Sequence, residues 1–230
     1  MSLDEQRIAA ETRAWVDIAV VGLGLCPFAA GAVAADRLRI VVTPATELTA
    51  LLDVLDEELR RLAARDAGEV GVSGSAGEPE TTLLVHPAVL TDFLDFNDAL
   101  DAVEARVDAL GLAGVIQVAS FHPDYRFAGS SADDVGNATN RSPYPTLHLL
   151  REASVARAVA AWGDTASIYR RNLKRLAALG TDGWAALSRR WHAGSGPAAP
   201  DDRADQADRG TGSEPRGKPR SESHSESGRD

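Results

Sequence analysis

The amino-acid sequence predicts a single α/β domain built around a small, mainly parallel three-stranded sheet with flanking helices. Three β-branched or apolar runs, at residues 37–43, 81–86 and 114–120, are separated from one another by segments with helical periodicity. Alternation of strands with helices is typical of parallel sheets. Further helical segments and a polar tail follow, which predicts a domain at residues 1–192 and a tail at residues 193–230.

The first half of the chain alternates helices and strands. Ile8 and Trp15 lie on one helical face, and Gly22 is the expected end of that helix. After the first strand, leucines recur every three or four residues from Leu48 to Leu62, which predicts an amphipathic helix with Thr46 as its N-cap. A stretch with four glycines, residues 66–79, predicts a flexible loop before the second strand.

The second half adds one more helix and strand and then becomes helical. Apolar residues from Phe93 to Leu110 follow three- and four-residue steps, and Gly111 ends this helix before the third strand. A long loop comes next. The sequence then predicts additional C-terminal helices around residues 143–162, 165–179 and 182–191.

The composition restricts the class of function. The chain has a formal net charge of −10 at pH 7, which argues against nucleic-acid binding because such proteins rely on a basic surface. The tail at residues 193–230 has no Leu, Ile, Val, Met, Phe, Tyr, Trp or Cys, so we predict that it is disordered. The expected partner is a small anionic molecule.

The expected cellular location follows from the single cysteine and from one apolar run. Cys26 is the only cysteine, so no intramolecular disulfide can form and a reducing compartment is expected. The run at residues 18–34 resembles the core of a signal peptide, but acidic side chains precede it and it is too short to span a bilayer. We therefore predict a cytoplasmic protein without a membrane partner.

The loop at residues 121–142 is the first candidate site. Connections in compact domains usually take about 4–6 residues, and loops beyond about 12–15 are usually functional or disordered. This loop includes three aromatic residues, which disordered segments tend to lack. We therefore predict a folded functional loop. Its polar candidates are His122, Asp124, Asn140, Arg141 and Ser142.

The three predicted strands end alike, with Thr43, His86 or His122 directly before a proline. Proline terminates strands because it has no N–H to donate, so this pattern has a purely structural explanation. In a parallel sheet, however, the carboxyl ends of the strands share one edge, where ligands usually bind. His122 is the candidate general acid/base and Asp124 the group that orients it, while His86 is a candidate substrate-binding residue.

The same histidines suggest a divalent metal as a cofactor. Imidazole and carboxylate groups are suitable ligands, but the chain has no HExxH or CxxC spacing. Histidines from separate elements would have to converge in the fold to form such a site. The candidate ligands are His86, His122, His148 and Glu152.

The far end of the loop predicts an anion-binding site. Ser142 followed by Pro143 is a suitable N-cap and first helical position. A helix that begins there would direct free N–H groups at a phosphate or carboxylate. Asn140 and Arg141 come directly before it, so Asn140, Arg141 and Ser142 are the candidate substrate-binding residues.

Cys26 is a separate candidate because Pro27 follows it and can begin a short helix. A thiol at a helix N-terminus is expected to have a lowered pKa and to act as a nucleophile. The sequence CPFA is similar to the Cys-Pro-Phe pattern of glutaredoxin-like and omega-class glutathione-transferase proteins, although Ala29 replaces the second glutaredoxin cysteine. A buried, unreactive cysteine is the alternative.

Four longer motifs together resemble one family. GLCPFA, DFLDFN, QVASFHPDYRFAG and NRSPYPTLHLLREASV follow the order found in a bacterial family of unknown function, DUF1415. The resemblance extends from about Trp15 to Trp184 and leaves the tail outside. It implies membership of that family and a bacterial source, without a reaction or assigned site residues.

These observations lead to one functional hypothesis with two alternatives. We predict a soluble enzyme, a hydrolase or transferase, that acts on a small anionic metabolite at the 121–142 loop and the strand ends. Cys26 would be its nucleophile if the thiol reaches the same site. The alternatives are a non-catalytic protein that binds a metal or an anionic ligand, and a thiol-dependent activity like that of glutaredoxins or glutathione transferases.

Overall fold

A four-stranded mixed sheet forms the centre of the computed structural model, which describes residues 2–64, 79–162 and 165–193. These residues lie in one unit, residues 1–196. The strands are β1 (Leu38–Val42), β2 (Thr81–Val85), β3 (Ile116–Phe121) and β4 (Thr146–Arg151). The helices are α1 (Leu3–Trp15), α2 (Pro27–Ala34), α3 (Leu48–Ala63), α4 (Phe93–Ala109), α5 (Glu152–Trp162) and α6 (Thr165–His192).

The prediction of a three-stranded, mainly parallel sheet is wrong in strand number and in pairing. The strand order is β1-β2-β4-β3, and only the pairing of β1 with β2 is parallel. β4 is antiparallel to both of its neighbours. β1, β2 and β3 therefore still point in one direction. Their carboxyl ends share one edge of the sheet, as the sequence predicts.

β4 lies within the segment that the sequence predicts as a helix, residues 143–162. The helical prediction rested on Ser142 as an N-cap and on Pro143 as the first helical residue. In the structure Leu147 and Leu149 point into one core, and His148 points to the other face of the sheet. Both edges of β4 bond to neighbouring strands, so tertiary pairing overrides the local preference.

The N-terminal segment follows the prediction closely. Ser2 and Glu5 form a capping box at the start of α1. A π-helical turn, Val16–Val21, continues α1 as far as Gly22. α2 begins at Pro27 with Cys26 in the N-cap position, as predicted.

One face of the sheet packs against α3 and α4. Leu55 and Leu59 of α3 and Phe96 of α4 are fully or almost fully buried there. We call this the leucine core. The predicted N-cap of α3 is wrong by one position, because Glu47 occupies it and makes no side-chain cap bond.

The opposite face packs against the N-terminal helices and α6. Trp15, Leu83 and Trp191 are buried in this second cluster, with Phe121 packed against it. α6 covers both of the C-terminal helices predicted at residues 165–179 and 182–191. It is a continuous helix except for one kink. The kink is at Gly180, whose φ of 68° lies in the left-handed region that favours glycine.

Two predicted segments lie outside the described residues: most of the glycine-rich loop at 66–79, and the tail apart from its first residue. Among the helices that are described, none combines the length and the apolar character needed to cross a membrane.

Candidate functional site

Two adjoining spaces surround Cys26. The first is a cavity of about 50 Å³ on the N-terminal face of the sheet, which we call the inner cavity. The second is an open cleft of about 360 Å³, which we call the thiol cleft. Val20, Cys26 and Phe121 line both spaces. The remaining lining residues of the inner cavity include Trp15, Phe28, Ala29, Thr81, Leu83 and His148, and those of the thiol cleft include Leu25, Phe127, Thr139, Asn140, Tyr169 and Asn172.

The pKa of the Cys26 thiol is raised, not lowered as the sequence predicts. Burial raises the pKa because it disfavours the thiolate, and the backbone N–H groups of Ala29 and Phe28 only partly offset this effect. The helix N-terminus is therefore present, but the apolar surroundings dominate. The thiol is therefore neutral at pH 7, which is contrary to the glutaredoxin-like expectation of a resting thiolate.

Hydrogen bonds to Thr81 determine which nitrogen of His148 carries the proton. The Thr81 hydroxyl donates its only hydrogen to the Leu149 carbonyl oxygen, 2.8 Å away. Its oxygen lies 2.7 Å from Nε2 of His148, so it must accept a hydrogen bond from that nitrogen. Nδ1 of His148 is therefore an unprotonated base. Burial lowers the pKa of His148 to about 4, so the ring is neutral at pH 7.

Asn172 on α6 contributes an unpaired acceptor beside the thiol cleft. Its Nδ2 donates to the Leu25 carbonyl oxygen at 2.7 Å, which fixes the orientation of the amide. Its Oδ1 is buried and has no hydrogen-bond partner among the described residues. The residue as a whole is 7% exposed. An unpaired buried acceptor is uncommon in proteins and indicates a place where a ligand or water binds.

Asp124 and Arg141 come together at a different cleft, of about 230 Å³, beside the N-terminus of α4. We call this the charged cleft. Asp92 and Arg126 also line it, so both signs of charge are present. Asp92 caps α4 by accepting from the N–H groups of residues 94 and 95. Arg141 donates to two loop carbonyl oxygens, those of Tyr125 and Ala132, at 3.3 and 2.8 Å.

The loop holds its own backbone in place with several of its polar side chains. Asn137 is fully buried; its Oδ1 accepts from the Phe127 N–H and the Ser130 hydroxyl, and its Nδ2 donates to the Ser131 carbonyl oxygen. Asn137 lies in a 3-10 segment, Val135–Asn140, which Asp134 caps by accepting from the Gly136 N–H. The abundance of polar residues in this loop is thus explained in large part by bonding within the loop.

The anion site predicted at the end of the loop lacks its helix, because β4 replaces it. Ser142 does not cap a helix; its hydroxyl donates to the Tyr144 carbonyl oxygen at 2.6 Å. Asn140 lines the thiol cleft, and its Nδ2 donates to the Ser120 carbonyl oxygen at 3.1 Å. Of the predicted site residues, Cys26 and Asn140 therefore meet at the thiol cleft, Cys26 and His148 at the inner cavity, and Asp124 and Arg141 at the charged cleft.

His122 is fully buried beneath the loop, against Phe93 and Phe96. Its Nδ1 accepts a hydrogen bond from the backbone N–H of Asp124 at 3.0 Å. Burial lowers its pKa, and the carboxylate of Asp124 opposes this effect. Its contacts are those of a residue in the leucine core, and it does not line the inner cavity or either cleft.

His86 occupies a similar position at the end of β2. Its ring stacks on Phe96, and its Nδ1 lies 2.9 Å from the Val89 carbonyl oxygen, to which it donates. Burial lowers the pKa of His86 to about 4. His86 and His122 thus lie on the leucine-core side of the sheet, whereas His148 lies on the other side.

The predicted metal ligands do not form a common set. His148 is separated from His86 and His122 by the sheet, and Glu152 is the first residue of α5. Within residues 2–64, 79–162 and 165–193, no group of three or more His, Cys, Asp or Glu side chains is arranged to hold a metal ion.

Sequence reasoning missed the contributions of Thr81, His148 as a base, and Asn172. The signal for His148 was present as the alternation in the sequence TLHL, residues 146–149, which places the imidazole opposite two leucines. Thr81 and Asn172 carried no comparable local signal. Their contacts are made to residues 67 and 147 positions away in the chain.

Comparison with known families agrees with the long motifs. The model of the family described as "Protein of unknown function (DUF1415)" matches residues 7–186. The chain belongs to this family. No match was found among curated proteins or among solved structures.

Proposed function

We propose that this protein is a cysteine-dependent hydrolase or transferase that acts on a small carbonyl compound bound in the thiol cleft, with Cys26 as nucleophile. The observation that carries the proposal is the position of Cys26, which forms a shared wall between a ligand-sized cleft and a cavity that holds a histidine of defined tautomer. Nucleophile and base beside one another, with the base held by a third group, is the arrangement that covalent catalysis requires. Here the three groups are Cys26, His148 and Thr81.

The proposed step is nucleophilic addition of the thiol to a carbonyl carbon. As the bond from Cys26 Sγ forms, the thiol proton moves to His148 Nδ1, and the imidazolium then protonates the leaving group as the old bond breaks. The product is a thioester on Cys26. Water, deprotonated by His148, releases the acid and restores the thiol; a second alcohol or amine in place of water makes the same reaction a transfer.

The two pKa shifts favour general-base catalysis over a preformed ion pair. A raised pKa for Cys26 and a pKa of about 4 for His148 keep both groups uncharged at rest in their apolar surroundings. A neutral imidazole can accept a proton at neutral pH. Negative charge that develops near the sulfur would be stabilised by the N–H groups of Phe28 and Ala29, which already act on the thiol pKa.

This proposal keeps the enzyme class expected from the sequence but changes the base and the substrate. His148 takes the role that the sequence suggested for His122, because His148 shares a cavity with the thiol. The loop still contributes, since Phe121, Phe127 and Asn140 line the thiol cleft. An anionic substrate has less support, because the predicted helix N-terminus is absent and Arg141 is bonded to loop carbonyls.

The first prediction tests the nucleophile and the base. Incubation with p-nitrophenyl acetate or butyrate should release p-nitrophenol and leave one acyl group on Cys26, detected by intact-mass and peptide mass spectrometry. Cys26→Ala should abolish this adduct. His148→Gln should slow its formation about 100-fold, because it removes the base. Thr81→Val should slow it less, and should change the pH dependence because the imidazole is no longer held in one tautomer.

Asp133→Asn is the matched control, because Asp133 is exposed on the same loop and lies outside the thiol cleft; its rate should equal that of the parent. A second discriminating variant is Asp124→Asn. A normal rate in His148→Gln together with a large loss in Asp124→Asn would return the site to the loop. Acylation spread over lysines, with Cys26 unmodified in the folded protein, would contradict the proposal and leave a buried, unreactive thiol.

A further inference from the structure

Resting on the proposed function, we infer that the thiol cleft recognises an uncharged group that donates hydrogen bonds, such as a carboxamide, and discriminates against carboxylates. The hydrogen-bonding groups that remain unused in the cleft determine which ligand it recognises. These groups belong to residues other than Cys26, His148 and Thr81, which carry out the proposed reaction.

Three polar side chains of the cleft offer acceptor oxygens to a ligand, and each already donates one hydrogen bond to a backbone carbonyl oxygen. Asn172 uses Nδ2 for the Leu25 carbonyl oxygen, and its Oδ1 has no partner among the described residues. Asn140 uses Nδ2 for the Ser120 carbonyl oxygen. Thr139 donates its hydroxyl hydrogen to the Gly136 carbonyl oxygen at 2.9 Å. The unpaired Oδ1 of Asn172 can only accept, so a ligand that satisfies it must supply an N–H or O–H group.

The described lining of the thiol cleft carries no charged side chain. Among its described lining residues there is no Asp, Glu, Lys, Arg or His, and most of the lining is apolar or aromatic. A carboxylate placed here would face acceptor oxygens without a cation to balance it, and an amidinium would be partly buried without a carboxylate. A neutral ligand avoids both costs.

The size and walls of the cleft fit a small planar molecule. A volume of about 360 Å³ is within the range of small-molecule sites. Phe121, Phe127 and Tyr169 supply aromatic surface for the body of such a ligand. Cys26 in the same lining places the recognised group next to the proposed nucleophile.

The second prediction tests this recognition with three ligands that differ only in head group: benzamide, benzamidine and benzoate. Binding to the full-length protein is measured by ligand-observed NMR titration. We expect benzamide to bind at least about tenfold more tightly than benzoate, since the benzoate leaves the acceptors unpaired. Benzamidine should bind more weakly than benzamide. Equal or tighter binding of benzoate or benzamidine would overturn the inference.

Variants assign the selectivity to Asn172. Asn172→Leu should reduce the benzamide preference to less than about threefold, while Asp133→Asn should keep it. The selectivity of the parent protein is itself a sufficient test if Asn172→Leu does not fold. The same titration on Cys26→Ser separates the two proposals. Retained benzamide selectivity without any acylation of the parent would contradict only the proposed reaction, and acylation without selectivity would contradict only this inference.

Discussion

The thiol cleft and the charged cleft are both lined by residues of the 121–142 loop, yet their polar groups are in opposite states. In the charged cleft, Arg141 bonds to two loop carbonyls and Asp92 caps α4. In the thiol cleft, Asn172 keeps an acceptor without a partner among the described residues, and Cys26 lies beside an apolar cavity.

The difference shows why the number of polar residues is a weak guide to a site. Charged and amide side chains in a long loop are required to satisfy its backbone, because buried backbone groups without partners are costly. Arg141 and Asp92 in the charged cleft meet that requirement. The need to satisfy the loop backbone does not explain the thiol cleft, because its unpaired acceptor and its neighbouring cavity add nothing to the stability of the fold.

The third prediction, with the largest expected effect on stability, compares His86 and His148, which lie on opposite faces of the sheet. His86 in the leucine core and His148 beside the inner cavity both have a folded-state pKa of about 4, below the ordinary value of 6.5. The unfolded chain binds protons first as the pH falls. Stability is therefore full above about pH 6.5 and is lost between pH 6.5 and 4, by up to about 3 kcal/mol for His86.

Urea denaturation at several pH values and NMR titration of each imidazole provide the measurements. His86→Phe should remove part of the pH dependence of the free energy of unfolding. Parent and variant are compared by the slope of that free energy against pH, because a change in packing shifts the free energy equally at every pH and leaves the slope unchanged. A His148 that titrates near 6.5 would show that water fills the inner cavity. That result would contradict the proposal that Cys26 and His148 are both uncharged before the reaction.

The fourth prediction concerns the role of the loop as a brace. Asn137→Ala should lower the free energy of unfolding by about 2–3 kcal/mol, because it leaves the Phe127 N–H and the Ser131 carbonyl without their partner. Asp133→Ala, an exposed change in the same loop, should alter it by no more than about 0.5 kcal/mol. Equal, small effects of both changes in urea titrations would mean that the loop is not held by this network.

The fifth prediction has the smallest expected effect and decides the role of Arg141. Arg141→Ala should cost about 1 kcal/mol, because the side chain bonds to two carbonyl oxygens near the surface. Phosphate and small carboxylates should shift the melting temperatures of parent and variant equally. A rise confined to the parent protein would instead identify the charged cleft as an anion site, and the comparison between the two clefts would fail.

Most of the helices and three of the strands were predictable because their signals are local. The leucine spacing of α3, the strands at Leu38–Val42 and Thr81–Val85, and the helix that begins at Pro27 are all found where the sequence places them. The long motifs also identified the family correctly. The fourth strand was missed because β4 is held by two neighbouring strands, and pairing of that kind leaves little trace in the segment itself.

Some features of the candidate site were likewise predictable from the sequence, and others were not. The sequence by itself determined that Cys26 stands at the start of a short helix, that the strand ends share one edge, and that the 121–142 segment is an ordered loop. Only the tertiary structure decided the environment of each group. Burial raises the pKa of the Cys26 thiol although the local motif predicts the opposite, and it places His122 in the leucine core. Thr81, His148 and Asn172 acquire their roles from contacts with residues distant in the chain, and neither burial nor long-range hydrogen bonding is encoded in a local pattern.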